Sequence, residues 1–317
     1  MKDTAGQNRT IGSFCFGYGG LDLAAHELFG VSTLWWAEIE PAAQKVMSAR
    51  FPTATAVGDL TTINPHDLEP VDIITAGFPC QPFSQAGLRK GNQDERAIFQ
   101  WIADAIGILR PRYVLMENVQ GLLTKGGLDI LGALAAIRYD CRWATVRASD
   151  AGAPHKRARW FAIAEPTDAD RSGGEAWGDT GQDSQRLRQA PVGHSTSPPD
   201  SDSVGTGRGR YGEVPSPPGA SQEGSQQRQR VRNDTGHDSP TNWGEWEPAI
   251  RRWETIRQVE APPPVIDGKL NQWFVEWMMG LPTGWVCDVI EHRTPALKML
   301  GNGVCPQQAA LAYRLLL

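Results

Sequence analysis

Up to about residue 165, uninterrupted apolar runs alternate with amphipathic stretches, and this alternation restricts the fold more than any other feature of the chain. Strand character appears at Ile11–Phe16, Leu34–Ile39, Val71–Phe78, Tyr113–Glu117, Trp143–Arg147 and Trp160–Ala164. Helical character lies between them, at Leu21–Leu28, Ala42–Arg50, Ala97–Leu109 and Leu128–Arg138. Strands apolar on both sides must be covered on both sides, and helices at alternate positions supply the cover. The expected class is therefore α/β, a doubly wound and mostly parallel sheet. Ligands of such sheets sit beyond the carboxyl ends of the strands.

The composition then changes. Between Thr167 and Pro240 the chain is rich in Gly, Ser, Pro, Gln, Asp and Arg and holds only 11 apolar residues, too few to offset the entropy of ordering it. Loop or disorder is expected over 167–240. Order is expected to return at Trp243, after which Trp246, Ile250, Trp253 and Arg257 recur at helical spacing. Trp273 and Trp277 then lie one turn apart, and a final helix-like stretch ends the chain. The expected organisation is a domain over 1–165, an inserted region over 166–272, and a segment, 273–317, that completes the first domain.

No run of eighteen apolar residues and no charged-then-apolar leader is visible, so a membrane span or secretion is not expected. Cys15, Cys80, Cys141, Cys287 and Cys305 are odd in number and contain no C-x-x-C pair. A disulfide framework and a structural metal site are both disfavoured, and a cytoplasmic setting fits. The net charge of −5 conceals a basic stretch, residues 138–159, whose net charge is +4. Such a patch can hold phosphate; a solvated charged face is the alternative.

Candidate chemistry gathers where strands end. The first strand runs into Phe16-Gly17-Tyr18-Gly19-Gly20-Leu21, glycines that let a ligand approach backbone N–H groups at a helix start. A plain tight turn is the other reading, and the spacing is not that of nicotinamide enzymes. Glu38-Ile39, at the end of the second strand, suits ribose hydroxyls. Asp59-Leu60 offers an acceptor for an adenine amino group, and surface acids remain the alternative for both positions. Cys80 follows the strand Val71–Phe78 in a turn flanked by Pro79 and Pro82. Glu117-Asn118-Val119 would bring a carboxyl to the same rim. A thiol and a carboxyl facing one pocket serve nucleophilic attack with acid assistance.

These residues resemble the DNA (cytosine-5)-methyltransferase family. Pro79-Cys80-Gln81, Glu117-Asn118-Val119, His155-Lys156-Arg157-Ala158-Arg159 and Gly301-Asn302-Gly303-Val304 are similar to its motifs, in its order. The resemblance implies a Rossmann-like methyltransferase fold with a small inserted target-recognition region. It also implies S-adenosylmethionine as cofactor, held by Phe16, Gly17, Gly19, Gly20, Leu21, Glu38, Ile39, Asp59, Leu60, Pro79 and Asn302, and a cytosine in double-stranded DNA as substrate. By the same resemblance Cys80 adds to C6 of the base, which makes C5 nucleophilic, and Glu117 binds N3 and the 4-amino group. Arg159 holds O2, and Arg157 holds a backbone phosphate or the loop itself. A stacked base cannot be reached, so it must be flipped out. Gln81, Ser84, Arg157 and the string Arg228, Arg230, Arg232 are the expected DNA contacts, with a turn-forming role as the alternative for Ser84. A cognate restriction endonuclease is a candidate partner, and no metal, no membrane and a monomeric chain are expected.

Two departures stand out. Cys15 occupies the place of the family's usual first-loop phenylalanine, and His155 that of its glutamine, where a structural hydrogen bond is favoured over a proton shuttle. The tryptophans of 243–277 are expected as core rather than base-stacking residues. A tRNA cytosine-5-methyltransferase of the same fold, and a binding module without chemistry, are the competing readings.

Overall fold

The computed structural model describes residues 9–79, 95–124, 127–167 and 241–317. Cys80, Gln81, Ser84, Arg228, Arg230 and Arg232, and the stretch 168–240, lie outside the described residues. The described chain builds β1 (Thr10–Phe14), α1 (Gly20–Phe29), β2 (Ser32–Ala37), α2 (Pro41–Arg50), β3 (Thr55–Gly58), β4 (Ile73–Ala76), α3 (Glu95–Leu109), β5 (Tyr113–Val119), α4 (Gly127–Ala136), β6 (Tyr139–Val146) and β7 (Arg159–Pro166). After the undescribed stretch follow α5 (Glu247–Arg257), a short β8–β9 hairpin (Val265–Ile266, Lys269–Leu270), α6 (Gln272–Met278), α7 (Arg293–Asn302) and α8 (Pro306–Leu316).

Seven strands form one sheet in the order β3-β2-β1-β4-β5-β7-β6. Pairing is parallel from β3 to β5, whereas β7 runs antiparallel to both β5 and β6. The strand order reverses between β1 and β4, the point where doubly wound sheets open a crevice at their carboxyl ends. Consecutive side chains of a strand face opposite sides, and β2 shows the consequence. Trp35 joins the core cluster that includes α3 residues Phe99, Ile102 and Ile106, while Trp36 joins the one built from α2, α5, α6 and α7.

Several features differ from the expectation. The edge strand β3 was not foreseen; its four residues are part-exposed and too short for a periodic signal. The strand before β7 begins at Tyr139, four residues earlier than the apolar run suggested, because pairing with β7 continues out to Pro166. Trp246 precedes α5, at the end of a single 3-10 turn, rather than lying on the helix. Trp253 and Trp277 are buried in the second cluster, whereas Trp246 is 59% exposed.

The C-terminal segment packs into this same unit: α8 lies against α1, β6 and β7. Its approach is organised by Glu276, a carboxylate on α6 that is almost fully buried. Glu276 accepts backbone N–H bonds from Gly284, Val286 and Cys287 at 2.6, 2.7 and 2.8 Å, which fixes the turn leading to α7. Removing it strands three buried donors, each of which carries a desolvation penalty. Glu276→Ala is expected to lower the unfolding free energy by at least about 3 kcal/mol, about 1 kcal/mol or more for each stranded donor, and Glu276→Gln by clearly less, as read by urea denaturation.

Candidate active site

Beyond the carboxyl ends of β1, β2, β4 and β5 lies a cleft of about 530 Å³. Two acidic side chains stand on one of its walls. Glu38, just past β2, accepts N–H bonds from Gly17 at 2.9 Å and from Ile39 and Glu40 at 2.8 and 2.9 Å. Those bonds fix the carboxylate and tie the end of β2 to the first glycine loop. Asp59, just past β3, is held by the backbone and hydroxyl of Thr61 through Oδ1. Ile39, Leu60 and Pro79 line the cleft as well. Gly17 has φ of 60°, a left-handed value that glycine tolerates, and nothing stands within 4 Å of where a Cβ would be. A ligand can therefore come against that backbone.

Glu117 and Arg159 occupy another wall. Arg159 Nε lies 3.1 Å from Glu117 Oε1, and the Glu117 carboxyl is buried. Burial pushes its pKa from the usual carboxylate range up to about 7, against the attraction of Arg159 and Arg157. Desolvation exceeds the ion pair here, so Glu117 exchanges a proton near neutrality. Asn118 donates to the Phe78 carbonyl at 3.0 Å, which ties the end of β4 to the end of β5 two residues before Cys80.

Arg157 faces a different task from Arg159. Its guanidinium donates to the carbonyls of Gly301, at 3.0 Å, and Gly303. Of its two expected roles, the contact it makes is with the protein's own loop. The Tyr18 hydroxyl donates to the Val304 carbonyl at 2.8 Å, and a Cβ on Gly20 would stand 2.3 Å from that same carbonyl oxygen. The glycine loop and the end of α7 are thus clamped together, with Asn302 and Gly303 left lining the cleft. Gly19 and Gly20 are not among the cleft-lining residues; their absent side chains make room for Phe16 and Val304. Phe16 and Leu21 line a smaller cavity behind the cleft.

His155 Nε2 is 3.0 Å from the Met278 carbonyl, to which it donates, and burial lowers its pKa. It is a neutral tie between the arginine motif and α6. Cys15 lines the cleft, and burial pushes its thiol up to about 12, which leaves it unreactive. Sequence reading did not assign Glu40 or Lys298, which meet at 3.4 Å and also line the cleft. No local motif signals a contact between residues so far apart in the chain. Among the described residues, no cluster of three or more His, Cys, Asp or Glu could hold a metal ion, and no helix is long and apolar enough to cross a membrane.

The model of the family described as C-5 cytosine-specific DNA methylase matches residues 10–259. Among curated relatives, the type II methyltransferase M.CviJI of Paramecium bursaria Chlorella virus IL3A is 37% identical over 151 residues, 46% of this chain and 41% of that protein. M.NlaIV of Neisseria lactamica is 37% identical over 136 residues, 39% of this chain and 32% of that protein. The alignments thus span less than half the length of these relatives. A crystal structure described as a DNA modification methyltransferase encoded within an E. coli prophage superposes with a TM-score of 0.59 at 20% identity, covering 95% of this chain and 96% of that one. At that identity the likeness is one of fold.

The clamp generates a stability prediction. A Cβ on Gly303 would stand 1.9 Å from the Tyr18 ring, so Gly303→Ala must displace the ring and its hydroxyl bond. A loss of about 1–3 kcal/mol is expected, visible as a lower urea midpoint; an unchanged midpoint would contradict the clamp.

Proposed function

This chain belongs to the C-5 cytosine-specific DNA methylase family, whose methyl donor is S-adenosylmethionine, and on that premise we propose that it methylates C5 of cytosine at a specific site in double-stranded DNA. The observation that carries the reading is a buried carboxyl paired with an arginine in a cleft that is also lined by Pro79, the residue before Cys80 in sequence. The residues fit the donor: Glu38 and Asp59 offer acceptors for ribose and adenine, and Gly17 leaves its backbone open to them. When bound there, the donor supplies a methyl group on a sulfonium.

C5 of cytosine is too electron-poor to take that methyl unaided. In our reading Cys80, as thiolate, forms a bond to C6 and turns C5 into an enamine carbon. Glu117 holds N3 and the 4-amino group and shares a proton with N3, which draws electrons from C6 as the thiolate arrives. A carboxyl titrating at about 7 suits this, being able to give and retake a proton near neutral pH. Arg159 keeps the carboxyl oriented and is placed to hold O2. Water then takes the C5 proton, the electron pair left behind re-forms the C5–C6 double bond, and Cys80 leaves as thiolate, freeing the methylated base. The base must leave the helical stack to enter, at a cost of a few kcal/mol.

Arg157 holds the loop 301–303 in this account, and contact with DNA phosphate falls to other groups. Gln81, Ser84 and the string Arg228, Arg230 and Arg232 are our candidates for DNA contacts, and 166–272 for target recognition. A cognate endonuclease is the partner that type II relatives suggest.

Incubation with tritiated S-adenosylmethionine, on duplex DNA and on tRNA in parallel, tests the proposal. Label is expected in DNA, at a defined sequence context by bisulfite sequencing. Glu117→Gln is expected to slow transfer about 10²–10⁴-fold, and Cys80→Ser to abolish it. Label in tRNA alone would overturn the DNA assignment.

A further inference from the structure

Two of the acids that line the cleft are already engaged by neighbouring parts of the chain. A carboxylate offers about four lone-pair sites. On Glu38 the N–H groups of Ile39 and Glu40 fill both sites of Oε1, and that of Gly17 fills one of Oε2. One site is left. On Asp59 the N–H and hydroxyl of Thr61 fill Oδ1, and Oδ2 remains for the adenine amino group. Glu117 stands with Arg159 on another wall. S-adenosylmethionine carries two adjacent ribose hydroxyls, and the single site left on Glu38 serves one of them. The other has no charged acceptor unless a further side chain supplies it.

Glu40 meets that need. It lies two residues beyond Glu38 and lines the cleft as well, and its own N–H is one of the donors that fix Glu38. Glu40 also stands at the start of α2, where a polar side chain can cap the free N–H groups of the helix, yet it makes no such bond. Its carboxylate turns instead to α7, where Lys298 Nζ lies 3.4 Å from Oε1. Among the described residues no main-chain donor occupies that carboxylate, so it keeps room for a hydroxyl.

The energetics of the pair point the same way. Lys298 and Glu40 are 65% and 55% exposed, which places them at the solvent edge of the cleft. An ion pair so exposed adds little to folding. It does hold one carboxylate in place, and the ammonium offsets a third negative charge beside Glu38 and Asp59.

We propose that Glu40 is a second ribose-binding acid, which divides the two hydroxyls of the donor with Glu38, and that Lys298 is the positioning residue that keeps its carboxylate at the cleft. The inference rests on the donor assigned to this cleft and on nothing about which nucleic acid receives the methyl group.

Isothermal titration calorimetry tests it. The full chain is titrated with S-adenosylmethionine and with its 2′-deoxy and 3′-deoxy analogues, as wild type, Glu40→Ala, Glu40→Gln and Lys298→Ala. In wild type the loss of either hydroxyl is expected to weaken binding about tenfold or more, as for hydrogen bonds to charged groups. In Glu40→Ala the intact donor is expected to bind about tenfold more weakly. One of the two deoxy penalties then disappears and the other persists. Lys298→Ala is expected to shrink that same penalty, and Glu40→Gln to retain part of it, since the amide carbonyl still accepts. Because both positions are exposed, the urea midpoint is expected to stay unchanged in all three variants, so a lost penalty reports a lost contact.

Two penalties that both survive in Glu40→Ala would overturn the contact. Two that both vanish would overturn it as well, since Glu40 would then act by supporting Glu38. A wild type indifferent to one hydroxyl removes the need for a second acceptor and overturns the proposal. A penalty that stays whole in Lys298→Ala overturns the positioning role alone. A wild type that binds no S-adenosylmethionine overturns the donor assignment and this inference together. Binding with the expected penalties, but no methylation of any nucleic acid, supports the inference and overturns only the substrate reading.

Discussion

A carboxyl group held out of water beside an arginine is the interaction on which this site depends. Glu117 ends near the rim because β5 is parallel to β4 and β1, so their carboxyl ends share one edge. Arg159 reaches the same place because β7 runs the other way and brings its first residue to that edge. Arg159 pairs with Val119 and Glu117 with Phe161. The two side chains are diagonal neighbours on one face of the sheet, within reach of a long side chain. A parallel strand in place of β7 would deliver its last residue there instead. The single reversal of direction in the sheet is thus what sets a guanidinium against a buried acid.

The second constraint is closure by the end of the chain. Tyr18 and Arg157 both grip carbonyls of the 301–304 element, and Gln308 on α8 donates back to the carbonyls of Val146 and Arg157 at 2.9 and 2.7 Å. These bonds join residues more than 140 positions apart. They let α7 form a wall of the cleft facing the ends of β1 and β2. The first glycine loop therefore serves two purposes: Gly17 stays open to the cleft, and Gly20 receives a backbone carbonyl from the closing segment.

Strands buried on both faces were legible because burial leaves a continuous apolar run. The edge strand β3 was not, since four part-exposed residues carry no such run. Helix α7 was also missed, because Pro295 and Gly301 interrupt it and few of its residues are buried. In the site, Glu38, Asp59, Glu117 and Arg159 could be singled out by their places after strands or within short motifs. Glu40 with Lys298 could not. The meaning of that pair lies in a contact between elements far apart in sequence, which residue type alone does not announce. The direction of β7 was likewise invisible, because an apolar run reads the same along either direction.

The central claim is that Glu117 prepares the base for attack by Cys80, and a mechanism-based trap measures this most directly. Duplex DNA bearing 5-fluorocytosine at the recognised position, with S-adenosylmethionine present, prevents the final elimination and holds any covalent intermediate. Mass spectrometry of the digested complex is expected to find the base joined to Cys80, with adduct formation strongly slowed in Glu117→Gln. No adduct at Cys80 on any recognised sequence, or an adduct formed equally fast without the carboxyl, would contradict the account.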